Sequence, residues 1–99
     1  MWQGRAMTVE ITHHEADGQY EIAVDGETAG HTEARVEGDV VVFPHTVIDE
    51  RFEGQGLASQ LVAHALDDVR SQGKKVRATC SYVKHYIEKH PEYQDLLAG

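Results

Sequence analysis

The feature that most constrains this chain is a change of period at one place. Up to Ile48 apolar residues largely alternate with polar ones, as strands buried on one face require. From Leu57 onward they recur every four residues, as one face of a helix requires. Between the two patterns stands Arg51-Phe52-Glu53-Gly54-Gln55-Gly56, whose two glycines allow a tight turn with exposed backbone N–H groups. A chain of this kind must carry hairpins before the turn and a helix after it.

Val9 and Ile11 alternate with polar neighbours over Thr8–Thr12, and Tyr20, Ile22 and Val24 do the same. Asp17-Gly18, Asp25-Gly26 and Gly38-Asp39 are turn signals, and Ala29–Val36 and Val40–Ile48 complete four antiparallel strands. Pro44 interrupts the last of these runs by removing a backbone donor, which predicts a bulge or a local splay. Leu57, Leu61, Ala65 and Val69, widened by Ala58, Val62 and Leu66, predict an amphipathic helix that Gly73 stops. Val76–Thr79 is then a fifth strand, Ser81 is expected to cap a second helix running towards Glu88, and His90-Pro91 closes it. Glu92–Leu97 add one further helical turn. The expected fold is α+β, with a mixed, mostly antiparallel five-stranded sheet, one long helix after strand 4 and a C-terminal helix after strand 5. The last strand must pair parallel with a neighbour through a right-handed crossover. Residues 1–6 read as an extension and 7–99 as one domain, because 99 residues cannot bury two cores.

Seventeen acids against nine bases give a formal charge of -8, which repels nucleic-acid phosphates and anionic lipid and favours an amine partner, either a small molecule or a lysine. The lone Cys80 excludes a disulfide within the chain and suits a reducing compartment, so the expected location is cytoplasmic. No stretch approaches the roughly 20 apolar residues of a membrane helix. His13, His14, His85 and His90 lack a third ligand at metal-site spacing, so no metal is expected. Oligomeric state is not legible at this level.

The glycine turn opens a helix whose first residues, Leu57–Leu61, include no carboxylate, while Asp67 and Asp68 stand towards the far end. Helices that serve only the fold place acids the other way, so this N-terminus is left open for an external anion such as a pyrophosphate, with Glu50 and Glu53 acting against it. No Gly-Lys-Ser/Thr follows, which excludes a P-loop, and the hairpins before the turn do not fit a dinucleotide fingerprint over Gly54, Gly56 and Ser59.

The turn also matches a Gln/Arg-x-x-Gly-x-Gly/Ala coenzyme A motif. With His45-Thr46-Val47 before it, and Thr79-Cys80-Ser81-Tyr82-Val83 and His90-Pro91-Glu92-Tyr93 after it, the chain resembles the minimal single-domain members of the GCN5-related N-acetyltransferases. The resemblance implies transfer of an acetyl group from acetyl-CoA to an amine. It implies that Arg51, Gly54, Gln55, Gly56, Leu57, Ala58 and Ser59 cradle the pyrophosphate of coenzyme A. Backbone groups of Thr46, Val47 and Ile48 would hold the thioester carbonyl and pantetheine arm. His45 and Cys80 are the candidate catalytic residues: His45 as proton acceptor, Cys80 at a helix start as transient acyl carrier or pocket wall. Tyr82, Tyr86 and Lys89 of the last helix complete the cofactor set; Tyr86 either protonates the departing thiolate or packs beside Val83 and Ile87. The rival readings are a non-catalytic acyl-CoA binding module and an interaction domain without a ligand.

Overall fold

The computed structural model describes residues 8–98; the expected extension over residues 1–6 lies outside the described residues. Strands β1 (Val9–His14), β2 (Gln19–Val24) and β3 (Glu27–Glu33) form an antiparallel meander. The β2–β3 turn places Asp25 and Gly26 both at positive φ, 51° and 83°, the backbone that a two-residue hairpin needs. β4 (Arg35–Glu37) and β5 (Val40–Phe43) turn at Gly38, β6 (Thr46–Ile48) leads into the glycine turn, and helix α1 spans Leu57–Ser71. β7 (Lys75–Ala78) pairs parallel with β5, as the crossover argument requires, and helix α2 spans Ser81–Lys89.

The expectation of one five-stranded sheet is corrected: among the described residues seven strands lie in two sheets, ordered β1-β2-β3-β6 and β4-β5-β7. The reason is one extra residue. β3–β4 and β5–β6 form a single long hairpin, but between the pairs Thr32–Thr46 and Arg35–Val42 the first limb inserts Glu33 and Ala34 while the second inserts Phe43, Pro44 and His45. The mismatch is a bulge at the proline, where the sequence predicts one, and it bends both limbs out of a common sheet. β6 therefore stays with β3, whereas β7 follows β5 only as far as the pair Phe43–Ala78. Beyond that pair the N–H groups of Thr79 and Cys80 both donate to the Phe43 carbonyl, and the two strand paths part.

Two end assignments also change. Cys80, not Ser81, is the N-cap of α2, and it makes no side-chain capping bond. Pro91–Leu96 form a 3-10 helix, after which Leu97 bridges in parallel to Val76. The core lies between the sheets and α1: Tyr20, Ile22, Phe43, Leu57, Leu61 and Leu66 are all at most 1% exposed. On β3 the core-facing position opposite Ile22 must be glycine. A Cβ on Gly30 would stand 2.3 Å from the Val47 carbonyl and 2.6 Å from Ile48 Cδ1, so only glycine lets β6 lie this close.

Candidate cofactor site at the parting of the strands

Where β6 leaves β7, a cavity of about 390 Å³ opens on the α1 face of the sheet. Thr46 and Ile48 form one wall, Phe52, Glu53, Gly54 and Gly56 the rim, Leu57, Ala58 and Ser59 the floor, and Tyr82 of α2 the far side. Gly54 and Gly56 sit at φ 81° and 74°, and a Cβ on either would meet nothing within 4 Å. Backbone conformation and open space thus both favour glycine here, and the space is on the approach to the cavity.

The first backbone bond of α1 runs from Gln60 N–H to the Gly56 carbonyl, so the N–H groups of Leu57, Ala58 and Ser59 have no partner within the helix. Gly56 supplies no capping side chain, and the first turn holds no acid. The N-terminus of α2 is equally bare, with Cys80 uncapping and no acid in its first turn. Both positive helix ends therefore meet at one cavity, which fits an anionic ligand held by backbone groups.

β6 is the last strand of its sheet and has a free edge. Glu33 N–H donates to the His45 carbonyl and Asp49 N–H to the Ala29 carbonyl, so His45, Val47 and Asp49 turn their backbone groups towards β3. By the alternation of an antiparallel ladder, the N–H and C=O groups of Thr46 and Ile48 point the other way, into the gap. These two residues offer side chains to the cavity and backbone donors to the gap, an edge an extended amide-containing arm can pair with.

Cys80, 8% exposed, borders the same gap, and its thiol donates to Thr46 Oγ1 at 3.6 Å. Thr46 Oγ1 lies 2.8 Å from Thr32 Oγ1, which in turn donates to the His45 carbonyl at 3.4 Å. The result is a row of hydroxyls under the thiol ending on a backbone acceptor. Thr32 is fully buried and sequence reasoning did not select it; the only signal was a polar residue at a core-facing position of β3. Phe52 and Glu53 were likewise not selected, although they occupy the motif itself.

The other expected residues lie outside the cavity. Arg51 points away: its guanidinium bonds Glu27 at 2.9 Å and Asp49 at 3.3 Å and lies over the Phe52 ring, and those two carboxylates hold its pKa above the ordinary arginine value. Gln55 is exposed in the turn, and Val47 projects from the opposite face of β6. Tyr86 stacks on His90 at 3.9 Å, and burial, followed by the nearby Glu92 charge, raises its pKa. Lys89 is at the far end of α2, seven residues or about 10 Å from Tyr82. His45 is exposed and, two residues from Val47, shares its outer face, with its ring 5.7 Å from that of His31. Among the described residues no three His, Cys, Asp or Glu side chains are grouped as a metal would need.

Comparison with known proteins bears on the family and the fold. The sequence model of a family described as GCN5-related N-acetyl-transferase matches residues 19–96. Protein NATD1 of Gallus gallus is 33% identical over 52 residues, which is 52% of this chain and 47% of NATD1, so the match spans about half the length of that relative. The solution structure of a GCN5-like protein from Staphylococcus aureus superposes with a TM-score of 0.70 at 26% identity, covering 91% of this chain and 88% of the other. N-acetylglutamate synthase from Neisseria gonorrhoeae, solved with coenzyme A and N-acetyl-glutamate, shares the fold with a TM-score of 0.56 at 19% identity, over 69% of this chain and 19% of the enzyme.

Proposed function

Because the chain belongs to the GCN5-related N-acetyltransferase family, we propose that it transfers an acetyl group from acetyl-CoA to an amine. The observation that carries the reading is the convergence at one cavity of two uncapped helix N-termini, two open glycines and the free edge of β6. The N–H groups of Leu57, Ala58 and Ser59 bind the pyrophosphate, helped by the α1 dipole. With Arg51 turned to Glu27 and Asp49, this anion site works through the backbone and not through a cation. Thr46 and Ile48 hold the pantetheine arm and polarise the thioester carbonyl, a role in which one backbone donor is worth about 3 kcal/mol. Cys80 flanks the thioester, with Thr46 orienting its sulfur.

Acetyl-CoA at 100 times its dissociation constant should stabilise the folded protein by about 2.7 kcal/mol, a rise in Tm of roughly 10 to 20 °C for a domain of this size. Gly56→Val should remove that rise while the protein still folds, since the side chain enters open space but the φ of 74° and the cavity mouth no longer suit a ligand. An unmoved Tm at saturating acetyl-CoA would sink the reading. Binding without turnover on any amine would leave the chain an acyl-CoA carrier.

A further inference from the structure

Thr32 carries a fully buried hydroxyl where packing asks for none. It sits on the core face of β3 between Tyr20 of β2 and Thr46 of β6, and valine, of the same shape, would fill the position without a polar atom to satisfy. Tyrosines aside, no other hydroxyl, amide or charged side chain among the described residues is buried. The Tyr20 hydroxyl is committed to Asp68, so the Thr32 hydroxyl is left to β6. Thr32 and Thr46 form a non-hydrogen-bonded pair of the ladder, since Glu33 N–H donates to the His45 carbonyl beside them. At such a pair the two side chains approach most closely, which brings the hydroxyls to 2.8 Å.

Counting hydrogens fixes the direction of the row. The His45 carbonyl at its end can only accept, so Thr32 donates to it, at 3.4 Å. Thr46 then donates to Thr32, and the Thr46 oxygen is left to accept the Cys80 S–H at 3.6 Å. Backbone bonds hold the cysteine in place for this contact: its N–H donates to the Phe43 carbonyl at 2.8 Å, and its carbonyl accepts Lys84 N–H at 3.0 Å. Resting on the function proposed above, we propose that Thr32 is a positioning residue for acetyl transfer. By taking the Thr46 hydrogen it turns the Cys80 S–H onto the wall and leaves the sulfur lone pairs to the gap, where the thioester lies.

Without Thr32 the hydrogen of Thr46 has no acceptor on that side and turns to the sulfur, because a hydroxyl is a better donor than a thiol. The S–H then faces the gap. With Thr32 in place the row also serves a sulfur that has given its proton to a free amine in the gap. Thr46 swings its hydrogen onto the sulfur, and Thr32 swings its own onto Thr46. The His45 carbonyl keeps the Glu33 N–H at 2.9 Å in either setting, so the reversal gives up only the 3.4 Å bond from Thr32 to that carbonyl. Hydroxyl hydrogens rotate, and no proton travels along the row.

Cys80 is the one cysteine of the chain, so an S–H stretching band in the infrared belongs to a known bond. The whole chain should show that band at the frequency of a hydrogen-bonded thiol. Thr32→Val should move it to the frequency of a free thiol and leave Tm and acetyl-CoA affinity unchanged. The same variant should lower both the alkylation of Cys80 by iodoacetamide and kcat by about fivefold, the worth of one neutral hydrogen bond. Thr32→Ser, which keeps the hydroxyl but leaves a void in the core, should lower Tm while keeping the wild-type band and rates. A role in packing alone predicts the opposite order for the two variants. A free-thiol band in the unaltered protein, or the wild-type band and rates in Thr32→Val, would overturn the proposal, and the first of these requires no variant to fold. The expected band shift in a protein that transfers no acetyl group to any amine would instead remove the function beneath the proposal and leave the hydroxyl row standing.

Discussion

The two ends of the helical layer are built on opposite principles. At the N-terminal end, α1 and α2 both start without a side-chain cap and without an acid in the first turn, beside a cavity. At the C-terminal end of α1 nearly every polar group is occupied. The Tyr20 hydroxyl donates to Asp68, which also receives Gln72 at 2.9 Å; the Tyr93 hydroxyl donates to Asp67 at 2.9 Å; Arg70 forks onto Asp95 at 2.9 and 3.0 Å. Satisfied bonds hold the fold at one end, and backbone donors without a partner inside the helix stand beside the cavity at the other. The division implies that changes at the first end cost function and changes at the second cost stability.

Cys80→Ser offers the largest expected effect on the functional end. It keeps the size nearly constant, and Val76, Val83 and Ile87 around the junction are fully buried without it, so the melting temperature should hold. Turnover should fall a hundredfold or more, about 2.7 kcal/mol of transition-state stabilisation, with acetyl-CoA affinity retained. An acetyl mass on Cys80 of the unaltered protein would identify an acyl carrier. Wild-type turnover in the serine variant would reduce the thiol to a wall of the gap and leave proton transfer at His45 as the chemistry.

Tyr20→Phe addresses the other end. The side chain is 1% exposed, and its hydroxyl bonds a carboxylate, so its removal should cost about 1.5 to 3 kcal/mol of stability. Chemical denaturation measures the loss. Acetyl-CoA affinity should not change; a parallel drop in affinity would break the proposed separation of the two ends.

The smallest effect is a pH dependence. Burial first, and then the hydrogen bond to Asp68, pushes the Tyr20 phenol well above its ordinary range, and the same causes with Asp67 push Tyr93 up to about 12. A raised pKa means that the folded state holds the proton more tightly. The contribution is therefore complete below the unfolded phenol value of about 10 and fades as pH rises past it towards 12. Unfolding free energy measured across that range should fall in the native protein and fall less in Tyr20→Phe. An equal fall in both would remove this phenol as a cause.

The sequence made the elements legible because each is a local pattern: alternation for the strands, a four-residue recurrence for α1, and Gly73, at φ 72°, for its stop. Pro44 even marked the bulge. What it did not reveal depends on register. Arg51 looked free for a phosphate because Glu27, its partner, is 24 residues away in the chain and is brought alongside only by the pairing of β3 with β6. Thr32 acquires its meaning from Thr46 and Cys80, which reach it through two strands and a crossover. His45 was grouped with Cys80 on motif grounds, yet the pleat of β6 assigns their side chains to different sides. Proximity in a motif does not determine a face; the parity of the strand does.

That parity rests on a single residue. Because side chains alternate, removing the extra position at Pro44 would exchange the faces of everything that follows in β6, turning Thr46 and Ile48 outward and His45 and Val47 towards α1. Length variation in descendants of this chain is therefore restricted here in an unusual way. Loops such as the one at Gly38 can gain or lose residues singly, whereas the limb between Phe43 and Thr46 can keep both faces intact only if residues come or go in pairs.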